Sequence, residues 1–298
     1  MSLLNKFKNK IRGFFLDIYF IFKDKILFKD KYGLSYYLYK NTRPKNTFNI
    51  GVRTDDTSVL FTIKKILSFS NVEKKDSIHC IDVGSYIGVI TLMMSKSLEA
   101  SKLNWKIHSF EPFKDTFLRL QKNIKINSFK NNIVLNNLAV SDMAGTKILK
   151  SYPDTPGQNH IGINNSIDQT NSINQTVKVI TLRDYMLENN IKHINICKVD
   201  TEGSDEAVIK GFYEFLDTQA IDYFIFEYQN DKSYENIESL LISKGYTIYY
   251  MVRNENILVS SLEEYPKNSK SLLNLVAVSP KEKINFNKEF KLSDYNKY

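Results

Sequence analysis

The chain is poor in cysteine: of its 298 residues only Cys80 and Cys197 carry a thiol, each inside an apolar run that reads as a buried strand. That excludes a disulfide-stapled extracellular scaffold and marks both as small core residues in a reducing compartment, so a cytoplasmic protein is expected. Long apolar runs are missing too. The most apolar stretch near the N-terminus is interrupted by Asp17, well short of the roughly 20 residues a spanning helix needs, and neither a membrane span nor a secretory signal is expected. No internal repeat is present. Acidic residues are in deficit, 33 against 41 Lys and Arg, for a net charge of +8. A basic balance suits anionic partners such as nucleotide-linked substrates, anionic membrane or nucleic acid. Many lysines sit among asparagines and isoleucines, a bias that coding-sequence composition alone can produce. What is present in quantity is apolar: 42% hydrophobic and 13% aromatic residues allow a full core and exclude global disorder.

Three segments are expected. Residues 1–75 read as a helical N-terminal extension. Leu4, Phe7, Ile11, Phe14, Phe15, Ile18 and Phe22 recur at helical spacing, opposed by Lys6, Lys8, Lys10 and Arg12. Such a helix either lies on an anionic membrane, making peripheral contact through residues 3–28 at the inner face, or caps the main domain with its basic side in water; the cap is the simpler reading. Asp55, Asp56 and Thr57 signal the start of a helix over 58–68. Residues 76–280 alternate regularly. Strands are predicted at 78–83, 105–110, 132–140, 194–200, 221–228, 246–252 and 272–279, with helices at 88–99, 113–127, 204–216 and 233–244. That pattern predicts an α/β fold, a doubly wound, mostly parallel seven-stranded sheet of Rossmann-like type. Residues 281–298 read as a tail. The stretch 151–176, with Pro153, Pro156, Gly157 and Gly162, breaks the alternation as a long loop, a class of loop that is often functional.

In an open parallel sheet, ligands bind beyond the carboxyl ends of the strands where the winding reverses. The first strand ends in Asp82-Val83-Gly84-Ser85-Tyr86-Ile87-Gly88 and runs straight into a helix. Gly84 and Gly88 permit a tight turn and close approach of a ligand to the main chain. The next strand ends at Phe110-Glu111-Pro112, where a carboxylate can accept from both hydroxyls of a ribose. Asn137 and the main chain of Ala139 and Val140 are placed to meet an adenine, while Asp142 reads as a turn residue before Gly145. The fourth strand delivers Asp200, then Thr201-Glu202-Gly203, and the fifth adds Glu227. Asp200 and Glu202 suit general-base work, a divalent cation or a cofactor amino group; alternatively, one of them pairs with Lys198 or caps the helix after Ser204. Clustered acids repel, which raises a pKa unless a cation is bound.

The order of these motifs resembles the FkbM family of S-adenosylmethionine-dependent methyltransferases. The matching residues are Asp82-Val83-Gly84 with Ile87-Gly88, Phe110-Glu111-Pro112, Ala139-Val140-Ser141-Asp142, Thr181-Leu182, and Lys198-Val199-Asp200-Thr201-Glu202-Gly203 with Glu206 and Gly211. The resemblance implies a class I methyltransferase fold with S-adenosylmethionine as cofactor, its methionine end held by Asp82, Gly84 and Gly88 and its ribose by Glu111. Ser85-Tyr86 departs from the Ala-Asn usual in the family. The implied reaction is O-methylation of a hydroxyl, most simply of a sugar in glycan, lipopolysaccharide or natural-product assembly. Asp200 or Glu202 would be the base, Glu227 would orient substrate, and His160 would reach the substrate from the long loop. No metal-ligand set is assigned, although a divalent metal held by the three acids stays open. Two alternatives are an RNA methyltransferase, suggested by the charge, and a non-catalytic cofactor-binding module. Nucleic acid is disfavoured as a partner because the fourth strand does not lead into an Asn/Asp-Pro-Pro-aromatic string and no cysteine is placed as a nucleophile.

Overall fold

The computed structural model describes residues 25–30, 32–39, 56–69, 77–100, 103–151, 173–228, 232–252, 257–261, 264 and 273–292. At its centre stand β3 (Ser77–Val83) and β9 (Ile194–Val199), almost wholly buried strands of apolar sequence with helices on both faces. The chain passes from β3 through α2 (Val89–Glu99) to β4 (Asn104–Phe110), then through α3 (Lys114–Lys125) to β5 (Ile133–Asn136), building one wing in parallel. It then returns to β9, which pairs parallel with β3 on one side and with β10 (Ile221–Tyr228) on the other. The winding therefore reverses between β3 and β9. With β11 (Thr247–Met251), β12 (Leu258–Val259) and β13 (Leu273–Val278), the sheet order is β12-β11-β13-β10-β9-β3-β4-β5. The expected doubly wound α/β sheet is borne out, with β12 as an eighth strand. β13 runs antiparallel between β10 and β11, closing that wing as a reversed strand.

Strand alternation divides the core. Ile81, Val83, Phe110, Cys197, Val199, Phe224 and Phe226 pack on one face, beneath α4 (Leu182–Glu188), α5 (Asp205–Lys210), α6 (Tyr213–Asp217) and α7 (Lys232–Ser243). Ile78, Cys80, Ile107, Ile196, Tyr223 and Ile225 pack on the other, with α1 (Asp56–Phe69), α2 and α3. The two cysteines lie on opposite faces, both buried and not joined in a disulfide. Burying one such aliphatic or aromatic side chain stabilises by about 1.5–3 kcal/mol, and this double layer is what holds the strand ends at one edge.

Several segments differ from expectation. The strand predicted over 132–140 breaks at Asn137-Leu138 into β5 and β6 (Ala139–Val140). β6 leaves the main sheet and joins β8 (Ile173–Ile180) and β7 (Gly145–Ser151) in a separate sheet of order β6-β8-β7. The flanks of the long loop are thus paired strands; residues 152–172, with His160, lie outside the described residues. The helix predicted over 204–216 is two, α5 and α6, because Gly211 abuts the carbonyl of Ser141, where a Cβ would come within 2.7 Å. The helical reading of 3–28 fails at its end. Lys25–Lys29 is strand β1, antiparallel to β2 (Ser35–Tyr39), with Ile26 and Phe28 turned inward and Lys25, Leu27 and Lys29 exposed. That two-residue alternation overrides the helical one; residues 1–24 lie outside the described residues. In the segment read as a tail, α8 (Lys283–Phe290) buries Phe286 against Tyr223 and Tyr249. Among the described residues no helix is long and apolar enough to cross a membrane.

Candidate active site at the carboxyl edge

The glycine turn after β3 is shaped by contact with β9 and β4. Gly84 has φ +77, and a Cβ there would lie 1.8 Å from the carbonyl oxygen of Asp200; only glycine permits both the conformation and the contact. Its N–H and that of Ser85 both donate to the Phe110 carbonyl at 3.0 Å, and the Asp200 N–H donates to the Val83 carbonyl at 3.1 Å. Ser85 Oγ donates back to the Asp82 carbonyl at 2.7 Å, and Gly88 N–H to the Ser85 carbonyl at 2.8 Å. Tyr86 holds the left-handed φ of 49 that a non-glycine residue adopts only under constraint. The constraint is Glu111, whose Oε2 accepts the Tyr86 N–H at 3.0 Å. The Ser85-Tyr86 pair is thereby explained by backbone bonding.

Beneath the turn lies a buried polar group. Asp82 is fully buried; its Oδ2 accepts from Thr91 Oγ1 at 2.5 Å, and Thr91 Oγ1 is 2.7 Å from Ser109 Oγ. Asp82 Oδ1 has no hydrogen-bond partner, and the nearest cation, Lys198 Nζ, stands 3.9 Å away. Lys198 instead makes its close contact with Asp200 Oδ2, at 2.9 Å. Burial raises the Asp82 carboxyl above the usual carboxylate range, opposed by Lys198 and Thr91. Glu111 is buried as well, with Oε1 accepting from the Phe113 N–H at 3.0 Å, and burial pushes its carboxyl up to about 8 against the pull of its two N–H donors. A buried acceptor left unmade costs about 1–3 kcal/mol, so the orphaned oxygen of Asp82 calls for a donor from outside the chain.

The rim of acids is only partly assembled as expected. Glu202 and Gly203 turn with φ of 53 and 100, so the chain leaves β9 in a left-handed bend before α5. The parallel register of β9 with β10 sets Lys198 beside Ile225; continued by two residues it brings Glu227, half-buried, level with Asp200. Asp205 escaped sequence reasoning. Its Oδ1 accepts from the N–H and the Oγ1 of Thr201, at 2.8 and 2.5 Å, tying down the bend that carries Asp200 and Glu202. Burial and then the charge of Asp200 push it up to about 6. An acid at the first position of a helix, just after a glycine turn, is the signal that marks it. Among the described residues no three His, Cys, Asp or Glu side chains are grouped so as to hold a metal ion.

The adenine-side residues are engaged elsewhere. Asn137 Nδ2 donates to the carbonyls of Glu111 and Pro112, both at 2.9 Å, bracing the loop after β4. Pro112 also accepts from Gln175 Nε2 at 3.0 Å. Ala139 and Val140 are buried, their side chains in packed apolar clusters. Thr181 caps α4, its side chain accepting from the Asp184 N–H at 3.0 Å.

Residues 82–248, more than half of the chain, match the methyltransferase FkbM domain model. A curated relative, methyltransferase 1 of Beauveria bassiana, is 27% identical over 192 residues, covering 58% of this chain and 74% of its own length. Among solved structures, methyltransferase FkbM from Methylobacillus flagellatus KT aligns with TM-score 0.41 and 14% identity, over 72% of this chain and 47% of that one. The N-terminal domain of human METTL16 in complex with SAH aligns with TM-score 0.43 and 12% identity, over 80% and 75% of the two chains. The chain belongs to the FkbM family of S-adenosylmethionine-dependent methyltransferases.

Proposed function

We propose that this protein transfers a methyl group to a hydroxyl oxygen, that of a sugar in glycan, lipopolysaccharide or natural-product assembly. The observation that carries the reading is the orphaned, fully buried Asp82 Oδ1 beneath a glycine turn with the acids of β9 and β10 on the adjoining rim. The acceptors and the open backbone at this turn fit S-adenosylmethionine. Asp82 offers an unused acceptor to an ammonium, Gly84, Ser85, Tyr86 and Gly88 form a turn without side-chain obstruction at Gly84, and Glu111 beside Pro112 retains a second lone pair on each oxygen for ribose hydroxyls. Asn137 fixes the loop after β4, and the main chain of Ala139 and Val140 is proposed to meet the adenine.

When bound, S-adenosylmethionine supplies an electrophilic methyl group on a sulfonium. The chain then has to align an acceptor hydroxyl and remove its proton. Asp200 and Glu202 are the proton acceptors at hand. Asp200 is paired with Lys198 at 2.9 Å and holds it in place; Glu202, carried on the left-handed bend beside it, is proposed as the base, with Glu227 orienting the acceptor. His160 is proposed as a substrate contact from the long loop. Transfer of labelled methyl to a panel of sugar acceptors and to RNA, with and without chelator, tests the reading. Wild type is expected to label a sugar hydroxyl; Glu202→Gln is expected to lose about 100-fold or more in kcat and Asp200→Asn less. Labelling of RNA with no hydroxyl acceptor among sugars, or an unimpaired Glu202→Gln, would overturn it; loss on chelation would add a metal to the three acids.

A further inference from the structure

Asn123 sits in the last turn of α3, fully buried, with its amide bonded on both sides. Oδ1 accepts the main-chain N–H of Tyr37 on β2 at 2.7 Å, and Nδ2 donates to the carbonyl of Ile87 in the glycine turn at 2.9 Å. Only one orientation of the amide serves both partners. The peptide unit it touches is pinned from the other end as well, because the Gly88 N–H donates to Ser85 at 2.8 Å. Just past the end of α3, Asn127 clasps the hairpin, Oδ1 accepting the Ser35 N–H at 3.0 Å and Nδ2 donating to the Ser35 carbonyl at 2.9 Å, and Nδ2 also donates to the main-chain carbonyl of Asn123 at 2.7 Å.

We propose that Asn123 is a positioning residue for the cofactor turn, its amide held in register by the Tyr37 N–H of β2, a strand outside the matched family domain. With both ends of the Ile87–Gly88 peptide fixed, the plane of that peptide and the direction of the first free N–H groups of α2 are set before any ligand arrives. Such advance ordering lowers the entropy lost on binding. Without the Nδ2 donor the Ile87 carbonyl is released and the turn must be ordered by the ligand. The inference rests on reading this turn as the cofactor site.

The test is the affinity for S-adenosylhomocysteine, measured by calorimetry, set beside the melting temperature of the ligand-free protein. Asn123→Asp keeps the acceptor for Tyr37 and, once its carboxyl is ionised, cannot donate to Ile87; burial raises that carboxyl, so affinity is followed from about pH 7 to about pH 9 and read where it no longer changes. The substitution is expected to weaken binding about tenfold and to speed hydrogen exchange at the Gly88 amide. Asn127→Ala, which removes the Ser35 clasp and the bond to the Asn123 main-chain carbonyl but leaves the Asn123 side-chain amide both of its partners, is expected to lower the melting temperature and leave affinity within about twofold. Should Asn123→Asp fail to fold, Asn123→Ser is compared with Asn127→Ala in the same way. If wild type binds and the Asn123 variants bind as well as wild type, or lose no more affinity than Asn127→Ala, the positioning role is overturned. If wild type itself does not bind, it is the cofactor reading that fails.

Discussion

Two groups of polar side chains, buried or half-buried, lie at the sheet, and they differ in how completely they are satisfied. Toward the amino ends of the strands, Asp222 Oδ2 accepts from His193 Nε2 at 2.9 Å and Asn195 Nδ2 at 3.2 Å, and Asn195 Oδ1 accepts the His79 N–H at 3.1 Å. His79 stacks on His108, ring nitrogens 3.3 Å apart, and His108 Nδ1 meets the Tyr185 hydroxyl at 2.9 Å. Burial lowers His79 and pushes His108 down to about 4, so both rings are neutral at ordinary pH. Every member of the row has a partner. At the carboxyl ends, Asp82 keeps an oxygen without one, Tyr86 and Glu202 hold left-handed backbones, and Gly84 touches Asp200. A satisfied buried network rigidifies a fold, whereas strain and an unmade bond persist where a ligand completes the site. The amino end is thus the more completely satisfied half, and the carboxyl end, with its unmade bond, is where we propose that the cofactor binds.

Substitutions can break that division. The largest effect is expected from Gly84→Ala, because the added Cβ meets main chain at 1.8 Å. Denaturant unfolding should register a loss above about 3 kcal/mol, with cofactor affinity lost together with it. Next comes Asp222→Ala, which strands His193 and Asn195. It should cost about 2–4 kcal/mol in the same measurement and leave affinity for S-adenosylhomocysteine unchanged; a loss of affinity here would erase the contrast between the two ends.

Smaller effects lie in pH. His108 is held near 4 in the fold and rises toward 6.5 on unfolding, so the unfolded chain binds the proton first and stability falls as pH drops below about 6.5. Its share is about 2 kcal/mol between pH 7 and pH 5, and His108→Phe should flatten the urea midpoint over that interval. At the carboxyl end the sign reverses. Asp205, raised from 3.8 to about 6 in the fold, retains its proton longer when folded, so its contribution is lost as pH rises through that value. Asp205→Asn should therefore steepen the acid loss by about 1 kcal/mol over the same interval.

The strands that build the carboxyl edge were legible because each is an apolar run ending in turn residues. Asp82, Gly84, Glu111 and Asp200 follow one another at those ends, and the winding rule brings them to one edge. Direction is another matter. Leu273–Val278 reads as the same apolar run whether parallel or antiparallel, and only its pairing with β10 and β11 shows the reversal. The hairpin was hidden because the helical spacing of the residues before it ran on into a five-residue strand. Asn123 and the histidine row could not be found from sequence at all. Asn123 bonds to residues 36 and 86 positions away, and His79 stacks on a ring 29 positions on; no local pattern encodes such partners.

The central claim is that the unsatisfied carboxylate at the carboxyl end exists for the cofactor. Calorimetric titration of S-adenosylhomocysteine into wild type and Asp82→Asn, alongside unfolding of both, tests it most directly. The account predicts one saturable site in wild type, an affinity about 30-fold or more weaker in Asp82→Asn, and stability unchanged or slightly higher in the variant. Equal affinity in the two proteins would contradict it.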